Sequence, residues 1–381
     1  MVGAELKQSR FRRLQIYIRV RYYPATKLVM KLIRCFRSRT LFKLIAAISA
    51  LVCVSVLARA QSPSNAQPKT PAGWLARAAD LSDIRAAGSA PFTLAGQVLI
   101  PDGKGGNAQG TYRLDWNSPH EWREEITLPD FTRIKFGGEE KFWEKSSRDA
   151  APIAVDLLDK LLNLVEVLRS QDLWVAGDVQ EHASKRGQVK CVDMKWKSSG
   201  NPSHEFCFDP ANGGLEEELW PSLATAGVFG QIETASVYSG FAEWGGKLFP
   251  REFSAWRGKD KIVEFNLEEL DALQPGDAGR FSAPPGTEVW VACDKPEPAK
   301  LIANPGPIYP PPGFQWGPGG VAVVYGVIEL DGHLSSLTVV QSAIPGLGES
   351  GKSAMALWKI QPPSCHRTPY RQPVYVPFYH F

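Results

Sequence analysis

The run Gly346-Leu347-Gly348-Glu349-Ser350-Gly351-Lys352-Ser353 matches the phosphate-binding pattern G-x-x-x-x-G-K-[ST] at every position. In such a loop, backbone N–H groups cradle phosphates, the lysine reaches the outer phosphates and the last hydroxyl holds Mg²⁺. A strand-like run, Leu337 to Val340, precedes it and a helix-like run, Ala354 to Leu357, follows it. The chemistry also needs a parallel sheet, buried on both faces, to aim the loop, and an acidic partner for the metal. The 28 residues after Ser353 contain no Asp or Glu, and the segments upstream read as antiparallel strands. The expectation is therefore a glycine-rich turn entering a short helix, with no nucleotide bound.

Other catalytic spacings are absent from the sequence. It contains no G-x-S-x-G, H-E-x-x-H or C-x-x-C, and His120, His182, His204, His333, His366 and His380 are scattered without ligand spacing. Adjacent Glu124 and Glu125 point to opposite faces if they lie on a strand, which makes them surface charge rather than an acid–base pair. The acidic run Glu216 to Glu218 reads as a solvated strand edge or turn. The chain is expected to be non-catalytic, without cofactor or metal.

Composition bounds the remaining classes. Of the 381 residues, 44% are hydrophobic and 22% charged, ordinary for a globular chain of two domains plus extras. The net charge of +3 conceals an asymmetry, because residues 1–60 hold 13 Lys+Arg and one acid, leaving 30 bases against 39 acids beyond them. The body of the chain is thus acidic, which argues against a nucleic-acid partner. Arg37, Arg39 and Lys43 lead into an uncharged run from Leu44 to Ala58, and Ala58-Arg59-Ala60 places small residues at the −3 and −1 positions before Gln61. The run is short for a membrane span of about 20 residues. It reads as a signal peptide cleaved near Ala60, with a retained inner-membrane anchor as the alternative and Met30 as an alternative start. Residues 61–73, rich in Pro, Ser, Asn and Gln, read as a solvated tether.

Export leaves four cysteines, Cys191, Cys207, Cys293 and Cys365, in an oxidising compartment. Strand-like runs from Gln188 to Trp196 and from Ser203 to Asp209 flank a turn-rich stretch. Pairing them about Ser199 sets Cys191 opposite Cys207 and buries Val192, Met194, Trp196, Phe206 and Phe208 on the other face. One bridge is therefore expected there, free thiols being the alternative, and Cys293 with Cys365 follows by elimination.

A helix from Trp74 to Ala87 and a series of strands from Phe92 to Lys145 predict an antiparallel meander. From Ala151 to Ser170, Ile153, Leu157, Leu158, Leu161, Leu162, Val165 and Leu168 recur at three- and four-residue steps, predicting one amphipathic helix. More strands then run to Leu270. The landmarks Phe92-Thr93-Leu94-Ala95-Gly96, Cys207-Phe208-Asp209-Pro210 and Phe281-Ser282-Ala283-Pro284-Pro285-Gly286 give residues 74–290 a resemblance to the LolA/LolB lipoprotein-carrier superfamily. In that family a half-barrel holds acyl chains. The resemblance implies a hydrophobic pocket lined by Leu158, Leu162 and Val165, with Trp116, Trp122, Trp143, Trp196, Trp220, Trp244 and Trp256 as further wall residues or simple core.

Near the C-terminus, Pro307-Ile308-Tyr309-Pro310 leads to a strand from Val321 to Leu330, an Asp331-Gly332 hairpin turn and a second strand from Leu334 to Ser342. A helix then exits through Trp358-Lys359-Ile360-Gln361-Pro362 to a last strand, Pro373 to Phe378. This hairpin, helix and strand order resembles the TonB C-terminal domain family, whose last strand pairs with partner peptides. The implied partner-binding residues are Val374, Val376 and Phe378, although Pro377 removes a donor from that strand.

The fold expectation is α+β: an antiparallel half-barrel-like sheet wrapped on a helix (74–290), a Pro/Gly-rich linker (291–320) and a small ββαβ TonB-C-like domain (321–381). The function expected is non-catalytic binding of an outer-membrane or other envelope protein in the periplasm. The alternative is carriage of lipid or lipoprotein in the middle domain.

Overall fold

The computed structural model describes residues 67–101, 106–169, 174–184, 187–197, 202–221, 233–276, 279–293, 296–306, 320–343 and 346–380. The expected signal segment, its cleavage point, Met30 and linker residues 307–319 lie outside the described residues. From Thr70 onward the described residues fall in one compact unit.

Strand alternation sets the large sheet. Its first half is β1 (Phe92–Pro101), β2 (Asn107–Ser118), β3 (Glu121–Leu128), β4 (Phe131–Gly137) and β5 (Lys141–Ser146). Its second half is β6 (Trp174–Ser184), β7 (Gly187–Trp196), β8 (Pro202–Phe208), β9 (Leu215–Pro221) and β10 (Glu233–Ser239). A small hairpin, β11 (Ala242–Trp244) and β12 (Lys247–Phe249), leads to β13 (Glu252–Arg257) and β14 (Asp260–Ala272), and β15 (Glu288–Val291) follows. The order is β15-β5-β4-β3-β2-β1-β14-β13-β10-β9-β8-β7-β6. Every pairing is antiparallel, and the sheet stays open, with β15 and β6 at its edges. Two meanders are thus joined through β14, which pairs with β1 on one side and β13 on the other.

Among the described residues three helices cover the inner face. Helix α1 (Pro71–Ser82) starts where the Thr70 hydroxyl accepts from the Gly73 N–H at 3.1 Å and Pro71 occupies the first turn. Helices α2 (Ile153–Leu162) and α3 (Leu164–Arg169) share the stretch expected to be one helix. Asn163 breaks it: its side-chain amide donates to the Asp159 carbonyl at 3.0 Å, the acceptor that a continuing helix would use. Trp74, Leu75, Val155, Leu158 and Leu168 pack with Phe92, Leu94, Tyr112, Phe206, Phe208 and Phe265 in one core.

Beyond β15 lie two strand pieces, β16 (Pro296–Glu297) and β17 (Lys300–Ala303). A second sheet, ordered β19-β18-β23, is built from β18 (Gly320–Ile328), β19 (Leu334–Ser342) and β23 (Gln372–His380). Helix α4 (Leu347–Met355) packs on one face of it against Ala322, Val324, Val339, Val376 and Phe378. Between α4 and β23 come β20 (Lys359–Gln361), β21 (Ser364–Cys365) and β22 (Thr368–Pro369). The expected hairpin, helix and strand order is present, but α4 stops before Trp358. Lys359–Gln361 is extended instead and pairs with β17.

The phosphate-loop spelling has a packing explanation. Gly346 takes a left-handed conformation (φ 80°) at the start of α4. A Cβ on Gly348 would meet Val339 Cγ1 at 2.5 Å, and one on Gly351 would meet the Phe378 ring at 2.6 Å. The glycines let the helix lie close on an antiparallel sheet. The Ser353 hydroxyl donates to the Glu349 carbonyl at 2.9 Å within the helix.

Both expected bridges are formed, Cys191–Cys207 and Cys293–Cys365, with Cα separations of 4.0 and 5.7 Å. In the chain-entropy account they stabilise by about 3 and about 4 kcal/mol, the larger value belonging to the longer loop. Two bridges fit an exported protein. Among the described residues no helix is long and apolar enough to cross a membrane.

Gly351→Ala is expected to destabilise the α4 sheet by about 1–3 kcal/mol, because the Phe378 ring must move. Lys352→Ala should change stability by less than about 0.5 kcal/mol. Thermal melts of the two variants check this contrast.

Candidate functional site

The inner face of the large sheet carries charge where it meets α2. The register aligns Glu124, Lys135 and Glu144 across β3, β4 and β5, and it sets Arg133 opposite Ile126. Period-two alternation therefore aims all four side chains at the helix. The Arg133 guanidinium, 4% exposed, donates to Asp159 of α2 at 2.6 Å and to Glu124 at 3.2 Å. Lys135 donates to the other Asp159 oxygen at 3.3 Å. The buried Tyr112 hydroxyl donates to Glu124 at 3.0 Å, and Arg85 reaches both Asn163 (2.9 Å) and Tyr112 (3.4 Å).

Titration follows this geometry. Burial pushes the Asp159 carboxyl up, but Lys135 and Arg133 outweigh it by charge and hydrogen bonds and hold the group below its ordinary range. Burial opposes charge on Arg133 too, and Asp159 with Glu124 overcomes it, raising the guanidinium further. Glu144 is pushed up by burial, against the pull of Lys135 and Arg133. Tyr112 is raised by burial first and by Glu124 second. The cluster is a clamp on α2, with every carboxylate facing a cation or a hydroxyl.

Around the clamp the helix is packed. Leu158 and Leu162 are 0% and 6% exposed and sit in the core, while Val165, in α3, is half-buried. Trp116 is buried and stacks on Phe92 with ring centroids 5.3 Å apart, and Trp244 meets the same ring edge-on. Trp122 is partly buried against the core, Trp143 is half-buried, and Trp256 lies under the Lys261 ammonium. The side chains of Trp196 and Trp220 lie outside the described residues. Two hollows, of about 240 and 430 Å³, open on the outer face and share Glu125 and Thr127.

On the small sheet, Phe378 is buried, Val376 packs against the α4 cluster and Val374 is half-buried. The opposite face, with Tyr325, Val327 and Tyr375, rests on Ala150, Phe142 and Trp290 of the large-sheet unit. Arg371 lies over the Trp290 ring at 5.2 Å and grips Glu329 with two hydrogen bonds, of 2.8 and 3.2 Å. Strand β23 pairs with β18 in unbroken register through Pro373 and Pro377. A proline in an edge strand keeps its missing donor on the solvent side, so the outer edge of β23 lacks two donors.

Sequence reasoning missed the clamp. Glu124 and Glu125 do face opposite ways, but Glu124 is buried on the inner side. The available signal was Asp159 itself, four residues after Val155 and three before Leu162, hence on the apolar stripe of α2 and in need of a cation.

No protein-family model matches the chain, and no curated protein does. Solved structures similar to it include a LolA superfamily protein from Nitrosomonas europaea, 10% identical with a TM-score of 0.37, covering 56% of this chain and 98% of that one. A putative outer membrane lipoprotein-sorting protein domain from Vibrio parahaemolyticus is 8% identical with a TM-score of 0.35, covering 55% and 97%. A chain of the Pseudomonas aeruginosa MucA/MucB complex is 11% identical with a TM-score of 0.22, covering 77% and 98%.

Two outcomes follow from the inner face. Asp159→Ala leaves Arg133 short of a partner and should cost about 3–5 kcal/mol in chemical denaturation. Acid should act in two windows. Burial lowers His204 from 6.5 to about 4, so the unfolded chain takes up the extra proton first and stability declines as pH falls from about 6.5 to 4. Asp159 adds its loss only below its ordinary 3.8, as pH falls through its lower folded value. Melting temperature against pH, compared with a His204→Phe variant that lacks the upper window, checks both.

Proposed function

We propose that this chain is a non-catalytic envelope protein that binds an acyl chain, free or as part of a lipoprotein, against the inner face of its large sheet. The observation that carries the reading is the nature of the cover. Among the described residues a broad apolar sheet face is covered not by a second sheet but by helices of 12, 10 and 6 residues. Helices this short have little stability of their own. The N-terminus of α2 lacks a side-chain cap, and the clamp on Asp159 fastens it to β4. Displacing α2 and α3 would exchange Leu158, Leu161, Leu162 and Leu164 for a ligand of the same apolar character, so core and cover offer an acyl chain a ready-made site. The expected pocket residues Leu158, Leu162 and Val165 would be its movable wall. The two bridges and the expected signal segment agree with work in the periplasm.

A second reading, docking of an extended peptide, is favoured by one observation. Strand β19 is an edge of the small sheet with no proline between Leu334 and Ser342, unlike β23. Strand addition would then use β19 rather than Val374, Val376 and Phe378.

Titration with a fluorescent fatty-acyl probe decides the first reading. Wild type should bind saturably, Asp159→Asn should take up probe faster because the clamp is weakened, and Leu158→Glu should not bind. Absence of saturable binding by both wild type and Asp159→Asn would remove the carrier reading. Mass spectrometry of material copurified from the native envelope then separates lipid from a protein partner.

A further inference from the structure

The outer face of β6 to β8 brings together side chains that the sequence scatters. Cys191 stands opposite Gln180 on β6 and Cys207 on β8. Period two then puts His182, two residues from Gln180, and Glu205, two residues from Cys207, on that same face. A ligand atom from each of His182, Cys191 and Glu205 lies within 4.8 Å of the others. The Cys207 sulfur is 3.4 Å from a Glu205 oxygen. Cys191 and Cys207 form a small cluster with Val189 on their own side of the sheet, apart from the main core.

We propose that this cluster is a Zn²⁺ site that forms when the Cys191–Cys207 bridge is reduced, with Cys191, Cys207, His182 and Glu205 as the four ligands. Two sulfurs, one nitrogen and one oxygen suit tetrahedral zinc. With metal–ligand distances of about 2.0–2.3 Å, ligand atoms in such a site stand about 3.3–3.8 Å apart. His182, Cys191 and Glu205 must therefore close on one another by about 1 Å, within reach of rotation of the exposed His182 and half-exposed Glu205, while the two sulfurs, no longer bonded, move apart to share the metal. The cysteine Cα atoms, 4.0 Å apart, already hold the sulfurs together. Asp193 and Glu217 lie close to Glu205 and add a negative field that favours a divalent cation.

In the oxidised chain the sulfurs are bonded to each other and offer no thiolate. A dithiol reductant donates two electrons and two protons, breaking the bridge to give two thiols while its own sulfurs join as a disulfide. Zinc then displaces both thiol protons and binds the thiolates. Bridge and metal are alternative closures of the same strand pair, each excluding the other. Because the cluster lies off the main core, exchanging them does not require the apolar side of the sheet to repack.

The full chain, reduced with a phosphine and titrated with Co²⁺ and then Zn²⁺ under exclusion of oxygen, tests this. Reduced wild type should take up one equivalent of Co²⁺, give thiolate-to-cobalt charge-transfer absorption and lose that absorption to Zn²⁺. The oxidised chain and a reduced Cys191→Ser/Cys207→Ser variant, which keeps Cys293 and Cys365, should show none. His182→Ala and Glu205→Gln should each weaken binding by about tenfold or more. Circular dichroism on the same samples follows folding, and recovery of structure on adding metal to a loosened reduced chain supports the site. Absence of the absorption in reduced wild type overturns the proposal. So does absorption that persists in the double cysteine variant, or affinity indifferent to both His182 and Glu205.

Discussion

Arg133 places a permanent charge against the apolar underside of the large sheet, and the cover of that face is arranged around neutralising it. A guanidinium taken out of water is tolerable only beside carboxylates with good geometry. One carboxylate comes from the neighbouring strand as Glu124, itself held by Tyr112, and the other from α2 as Asp159. Hydrophobic contacts alone would let a short helix slide along a sheet at small cost. The ion pair fixes where α2 sits, and Arg85 carries the same network to Asn163, where the helix breaks. Charge thus supplies registry while leucines supply the bulk of the burial.

The same economy fastens the small sheet to the large one. Its inner side is committed to α4, and its other side supplies Tyr325 and Tyr375, packed edge to face at 5.2 Å, to the apolar contact with Trp290. Burial near Glu144 pushes the Tyr325 hydroxyl up to about 12, which keeps it neutral and suited to that contact. Arg371 closes the edge by covering Trp290 while satisfying its own charge on Glu329.

What could be read from the sequence was whatever depends on local period. Alternation gave the meanders, and the turn around Ser199 gave a register in which Cys191 faces Cys207, as it does in the structure. The hairpin at Asp331-Gly332 was legible for the same reason, since turn chemistry is local. The break at Asn163 was not, because a helix-period apolar stripe continues through it and only a side chain competing for one carbonyl ends it. Nor was the end of α4, where Ile360 leaves the helix to pair with Leu301, a partner distant in sequence. The clamp and the His182 cluster were hidden alike. Each gathers residues from separate strands or from strand and helix, and no spacing rule spans such a set.

The Cys293–Cys365 bridge has a mechanical meaning. It joins a residue just past β15, an edge strand of the large sheet, to one shortly before β23. A pull applied at the C-terminal residues reaches the large sheet through the sulfurs, bypassing the chain between them. Strand β23 lies outside this loop and takes the load directly, whereas β18, β19 and α4 lie inside it. Tension would peel β23 from β18 while the hairpin and its helix stay off the line of force, ready to be rejoined when the pull is released.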